Sequence, residues 1–137
     1  MVENVLLNKA ESIERCLNRI EEEYVGHEHE LESNYTRQDA IILNLQRACE
    51  SSIDAAMHIV RIKKLGIPQE SREAFEMLEK NGVIPRALAE QLKKMVGFRN
   101  IAIHDYQKIN MQILRAILTN HLNEFRAFVK IIISLTK

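Results

Sequence analysis

The sequence predicts an all-α fold, a bundle of about five helices running up and down, and three observations point there. Glycine and proline number only 4 and 2, too few turn residues for a chain built of many short strands. Apolar residues recur at three- and four-residue intervals over most of the length, the period of an amphipathic helix. The apolar content is aliphatic, with no tryptophan, and Leu, Ile, Ala and Met suit packing between helices. A chain of 137 residues can bury a core without disulfides or metals. No repeat, linker or low-complexity tract divides it, so one domain over residues 1–137 is expected.

The first helix is expected from about Val2 to Tyr24, where Val5, Leu6, Ile13, Leu17, Ile20 and Tyr24 make the stripe and Gly26 ends it. A polar stretch, residues 27–34, follows as a loop or short turn. The second helix runs from about Arg37 to Leu65 on a stripe of Ile41, Leu45, Ala48, Cys49, Ile53, Ala56, Ile59 and Val60, with Gly66 and Pro68 as the stop. The third is short: Ser71 is its expected cap, Phe75 and Leu78 face inward, and Asn81-Gly82 closes it. Pro85 opens the fourth, which carries Leu88, Leu92, Met95 and Val96. The fifth is expected from about Met111 to Leu135, with Ile113, Leu114, Ile117, Leu118, Leu122, Phe125, Phe128, Val129 and Ile132 inward. The first two helices are long enough to offer a second face to a partner chain.

Cys16 and Cys49 lie inside helical patterns and far from any C-x-x-C spacing, so they read as buried thiols of a reducing compartment. The first residues lack the apolar core of a signal peptide, and the longest apolar run, Val129–Leu135, is too short to span a bilayer. A cytoplasmic protein with no membrane contact is expected. Net charge is zero, yet residues 1–60 carry five basic and twelve acidic side chains, and residues 61–137 fourteen and seven. A neutral total argues against tight non-specific nucleic-acid binding, which rests on phosphate contacts. The basic second half still permits a local positive cleft. Two oppositely charged solvated faces, or a charge-complementary oligomer, would account for the same asymmetry.

One residue breaks the pattern. On a helical wheel Leu88, Leu92, Met95 and Val96 occupy an arc of about 100°, and Arg99 falls inside it, roughly 20° from Leu88. A guanidinium there would be buried and unpaired in a plain bundle, at considerable cost. It can snorkel out at the helix end, pair with a carboxylate of the second helix (Asp54 or Asp39), or line an open cleft that needs a cation. His104 lies five residues on, about 140° round a straight helix from Arg99. The two cannot share a site on one helix unless it breaks between Gly97 and His104, or unless the site uses two chains.

Arg99-Asn100-Ile101-Ala102-Ile103-His104-Asp105-Tyr106 has the form R-x4-H-x-Y and resembles the motif of the HepT-like toxins of the HEPN ribonuclease superfamily. Asn100 fits the polar place after the arginine. Gly97-Phe98 before the arginine, Tyr106 after the histidine and the position behind a fourth helix make the match specific. Asp54-Ala-Ala-Met-His-Ile-Val60 also looks like the family's second helix, and the resemblance spans roughly residues 35–137.

The resemblance implies a HEPN-type bundle and a homodimer whose two motifs line one cleft, where RNA is cut without metal or cofactor. RNA carries its own nucleophile, the 2′-OH. A histidine can take that proton or give one to the leaving 5′-oxygen, and an arginine can hold the phosphate and stabilise charge growing on it. His104 is thus the expected general acid–base and Arg99 the electrostatic stabiliser, with Asn100 orienting His104 or the backbone. The expected product end is a 2′,3′-cyclic phosphate. In systems of this type the partner is a minimal nucleotidyltransferase antitoxin, MntA-like, that adds AMP to the motif tyrosine. By resemblance Tyr106 is that target, and an adenylate beside His104 would block RNA by charge and bulk; alternatively Tyr106 stacks on a base or packs at the dimer seam.

Other signals carry less. His27 and His29 among glutamates lack a recognised metal-ligand spacing and read as a solvated loop. Asp54 and His58 are one turn apart and make a supporting pair or a surface contact. No G-x-x-x-x-G-K-[ST] or G-x-G-x-x-G occurs, so nucleotide hydrolysis and dinucleotide chemistry have no support. Two functions remain beside a bland oligomeric bundle: an endoribonuclease toxin, or a non-catalytic HEPN-like partner of a minimal nucleotidyltransferase. Intact Arg99 and His104 favour the first.

Overall fold

Long amphipathic segments need a partner for their apolar face, and the computed structural model, which describes residues 2–137 with side chains from residue 4 onward, supplies one to each. Six α-helices follow in order: α1 (Val2–Tyr24), α2 (Tyr35–Ile62), α3 (Ser71–Lys80), α4 (Arg86–His104), α5 (Met111–Asn120) and α6 (Leu122–Ser134), with short 3-10 turns at Glu28–Glu30 and Tyr106–Lys108. The described residues contain no strand, and none of their helices is long and apolar enough to cross a membrane.

Helices α1 and α2 run antiparallel along their length. The Ser12 and Ser51 hydroxyls meet at 2.9 Å, and Lys9 reaches Asp54 at 3.2 Å. Near the connection Arg37 reaches Glu23 at 3.3 Å. Helices α3 and α4 pack on α2, and α6 closes the bundle against α1, α2 and α4. The core holds the stripes that the spacing predicts, including Ile13, Leu17, Ile20, Ile41, Leu45, Ile59, Phe125 and Phe128. Phe75 of α3 meets Phe128 of α6 edge to face, ring centroids 5.9 Å apart. Such a pair adds about 0.5–1.5 kcal/mol beyond the area it buries. Both cysteines are free and buried, and burial pushes the Cys49 thiol far above its usual range. Val5 and Ile113, which the spacing puts on inward stripes, are exposed instead.

Several boundaries differ from expectation for local reasons. The expected fifth helix is two, because the chain breaks at His121, which ends α5 and begins α6. Thr119, Asn120 and His121 are all weak helix formers. The apolar spacing keeps its phase across them, so periodicity gave no warning. Helix α2 starts at Tyr35 because the Asn34 side chain accepts a hydrogen bond from the Arg37 N–H at 3.1 Å. It ends before Gly66. Lys64 takes the left-handed conformation (φ 55°), the Leu65 N–H donates to the Val60 carbonyl at 3.0 Å and the Lys64 N–H to Arg61 at 3.2 Å. This is the paired-bond helix stop that normally uses glycine. Helix α4 starts at Arg86, with Pro85 in the cap position rather than the first turn. Ser71 does not cap α3: Glu70 stands at the cap, without a side-chain bond, and Ser71 is occupied elsewhere.

The Lys64 conformation gives a direct expectation. Lys64→Gly removes a Cβ penalty of about 1 kcal/mol at an exposed position, partly offset by the greater freedom of glycine in the unfolded chain. Chemical denaturation should show a net gain of about 0.5 kcal/mol with an unchanged denaturant slope; a loss would mean that the lysine side chain contributes more than its backbone costs.

Candidate active site

Helix α4 is continuous from Arg86 to His104. Gly97, where a break was one way to bring the motif together, stays helical; a Cβ there would meet the tip of the Arg72 side chain at 3.0 Å. Arg99 and His104 are therefore separated by the helix's own turn, about 140°. A single chain does not bring them together on one face.

Arg99 points between α2 and α3 and its side chain is only 18% exposed. Its Nη1 donates to Glu50 Oε1 at 3.1 Å and its Nη2 to the Ser71 hydroxyl at 3.3 Å. Its Nε is buried and without a partner. Of the three readings open for Arg99, a carboxylate pair is present, but the acid is Glu50 and neither Asp54 nor Asp39. Asp54 is taken by Lys9 and Asp39 by Tyr106. On the α2 wheel Asp39 and Glu50 lie within about 20° of each other at the edge of the apolar stripe, and Asp54 about 40° further round, on the α1 side. The signal for Glu50 was present in the sequence, but which flank α4 occupies was not.

Beside Arg99 a cavity of about 250 Å³ is lined by Glu70, Ser71, Arg72, Val96, Arg99 and Asn100. Its wall is the first turn of α3, so Ser71, expected as a cap, instead holds the arginine. Asn100 is one turn before His104 on the same flank of α4, between the cavity and the histidine. His104 is the last residue of α4 and is exposed. Among the described residues no side-chain hydrogen bond holds it, which leaves both ring nitrogens open to a ligand.

Tyr106 is also part of this end of the molecule. Its hydroxyl donates to the Asp39 carboxylate at the start of α2, and the residue is 40% exposed. Burial, then the Asp39 bond and charge, push its phenol well above the usual tyrosine range. A raised folded-state value means that this contribution to stability is complete below the ordinary tyrosine pKa and is lost as pH rises above about 10. Asp39→Ala should bring the Tyr106 titration down toward ordinary values. Ultraviolet titration of the phenolate, with Tyr106→Phe to assign the signal, checks this; an unmoved curve would rule out Asp39 as a cause. The supporting contact suggested between Asp54 and His58 is absent: His58 Nε2 is buried without a partner, and burial, then Arg61, lower its pKa. Among the described residues no group of three or more His, Cys, Asp or Glu side chains is placed to share a metal ion.

A family model described as HepT-like ribonuclease matches residues 13–132. The chain is 46% identical over 129 residues to the mRNA nuclease HepT of Shewanella oneidensis, covering 94% of this chain and 96% of that protein. It superposes with a TM-score of 0.90 and 45% identity on the tri-AMPylated Shewanella oneidensis HEPN toxin solved in complex with an MNT antitoxin, over 95% of this chain and 97% of that one. A cytosolic Bacillus subtilis protein of unknown function, YutE, shares the fold alone: its TM-score is 0.70 at 17% identity, over 86% of this chain and 88% of that one.

Proposed function

The chain belongs to the HepT-like ribonuclease family, and from that premise we propose that it is a cytoplasmic endoribonuclease toxin that cuts RNA through the substrate's own 2′-OH, with His104 and Arg99 as its catalytic residues. One observation carries this reading. At the end of one helix a mostly buried guanidinium, tethered by Glu50 and Ser71, lines a polar cavity, and an exposed imidazole follows it that no side-chain hydrogen bond holds among the described residues.

The straight helix supports a site built from two chains. Arg99 and His104 diverge on one chain, so a shared cleft needs two copies related by a two-fold axis. Surface apolarity near the motif supports such a homodimer. Ile101, Ile103, Tyr106 and Ile113 are all exposed, and an apolar groove of about 380 Å³ between α4 and α5 is lined by Met95, Phe98, Ile101, Ile109, Ile113 and Ile117. An apolar face of that kind marks an interaction surface.

In the dimer one His104 accepts the 2′-OH proton as that oxygen attacks phosphorus. The 5′-oxygen leaves with a proton donated by the second His104. Arg99 stabilises the charge that builds on the phosphate oxygens. A guanidinium has five N–H donors, so phosphate can bind without Glu50 and Ser71 letting go of theirs. The attacking oxygen and both proton carriers come from RNA and protein, so no step calls for a metal ion. Asn100 orients His104 from the preceding turn.

The partner is a minimal nucleotidyltransferase antitoxin, MntA-like, and Tyr106 is the residue that receives AMP. The exposure of Tyr106 gives it access, and its place two residues after His104 means that an adenylate brings negative phosphate and bulk to the cleft. The Glu50–Arg99 pair is the one feature that suits the second reading, a non-catalytic partner of the nucleotidyltransferase, since it neutralises the cation. Incubating the purified protein with total RNA in EDTA decides between them. Fragments with 2′,3′-cyclic phosphate and 5′-OH ends support the nuclease. Cleavage abolished by EDTA, or ends with 5′-phosphate, would remove the mechanism, and no cleavage by protein free of AMP would favour the binding partner.

A further inference from the structure

The acidic half of the chain hides a basic groove. Residues 1–60 hold only five basic side chains, and three of them, Arg15, Arg19 and Arg47, converge on one groove of about 420 Å³ between α1 and α2. Ser12 and Asn44 add polar wall, Cys16 lies at its base, and no carboxylate lines it. Arg19 bonds Glu22 and Glu23 at 2.9 and 3.3 Å. Arg15 and Arg47 are exposed, and among the described residues neither has a carboxylate within ion-pair distance. Both cations act on the same buried sulfur: they pull the Cys16 thiol pKa down against the burial that raises it. Two unpaired guanidinium groups on one concavity repel each other, an arrangement that an anion would relieve.

The groove adjoins the candidate active site. Arg47 is one turn before Glu50, the residue that holds Arg99, and a helix with its side chains is only about 10 Å across. Three carboxylates line that side of α2: Glu50 and Asp54 are matched by Arg99 and Lys9, and Asp39 accepts the Tyr106 hydroxyl. A polyanion that crosses the ridge beside Glu50 and Asp54 meets no unmatched carboxylate there. The lining also suits a phosphate chain better than a protein. Arginine forks bind phosphate bidentately, whereas the centres of protein interfaces are depleted of charge.

We propose that the Arg15–Arg19–Arg47 groove is a second phosphate-binding site that holds single-stranded RNA flanking the bond cut at Arg99 and His104. This rests on the ribonuclease reading for its role but not for its test. Binding of a labelled single-stranded RNA of about 20 nucleotides is followed by fluorescence anisotropy over a salt series, using His104→Ala protein to prevent cleavage. Adding Arg15→Gln and Arg47→Gln should weaken binding by about tenfold. It should also reduce the slope of log affinity against log salt by about 1.4, the loss of two single-strand phosphate contacts. In the otherwise intact enzyme the same two changes should slow cleavage of the long RNA and leave cleavage of a dinucleotide unchanged. Unaltered affinity and salt slope would overturn the site, as would an equal loss on the dinucleotide. Weakened binding of poly-glutamate with RNA binding intact would make the groove a protein-docking surface and also overturn it. If wild type cuts neither substrate, the ribonuclease reading fails while the binding series still decides whether the groove takes RNA.

Discussion

His104→Ala is expected to abolish RNA cleavage for practical purposes, with a rate loss of about 10³–10⁴-fold. A positioned acid or base contributes about 10²–10⁴-fold, and in a two-fold cleft the substitution removes acid and base together. Stability should hardly change. His104 ends α4, is exposed and, among the described residues, makes no side-chain hydrogen bond, and surface substitutions of this kind stay within about 0.5 kcal/mol. The measurement is the initial rate on a defined RNA beside the thermal unfolding midpoint, for wild type and variant purified identically. Equal rates would point to a contaminating nuclease and take the catalytic role from His104. A fall in rate matched by a fall in midpoint would make the residue structural.

Arg99→Ala should cost about 10²–10³-fold in rate, the usual effect of removing one preorganised donor to developing negative charge. It should also cost some stability, unlike His104→Ala, because Glu50 loses its cation and Ser71 its donor. Arg99→Lys keeps the charge but not the fork that reaches both partners, so it should recover only part of the rate. Co-expression of wild type with His104→Ala tests the two-chain cleft. If one cleft needs both His104 residues, a mixed dimer is inactive. Equal co-expression, in which a quarter of the dimers carry two wild-type chains, then leaves about a quarter of wild-type activity. A site wholly within one chain leaves about half. That outcome would refute the shared cleft and require α4 to bend in solution.

Local signals made much of the fold legible. Periodicity located every long helix, because an amphipathic stripe is written at the spacing that the helix itself imposes. The break at His121 was not legible, since the stripe keeps its phase across it. The Lys64 stop was missed because glycine and proline stood nearby as more obvious signals. Arg99 stood out for a physical reason too: a permanent cation inside an apolar arc is costly unless something meets it.

What meets Arg99 was settled by packing. Asp39, Glu50 and Asp54 all lie on one side of α2, and the sequence could not rank them, because the choice depends on where α1 and α4 lie against that helix. With α1 on one flank, Asp54 goes to Lys9; with α4 on the other, Glu50 goes to Arg99 and Asp39 to Tyr106. Ser71 joins the site only because α3 packs its first turn against α4. The sequence alone determined the helical class, the buried stripes, the family motif and the residue types that chemistry on RNA needs. Tertiary structure decided the partners of each charge and the straightness of α4, because both depend on which helix faces lie against each other, which sequence spacing does not encode.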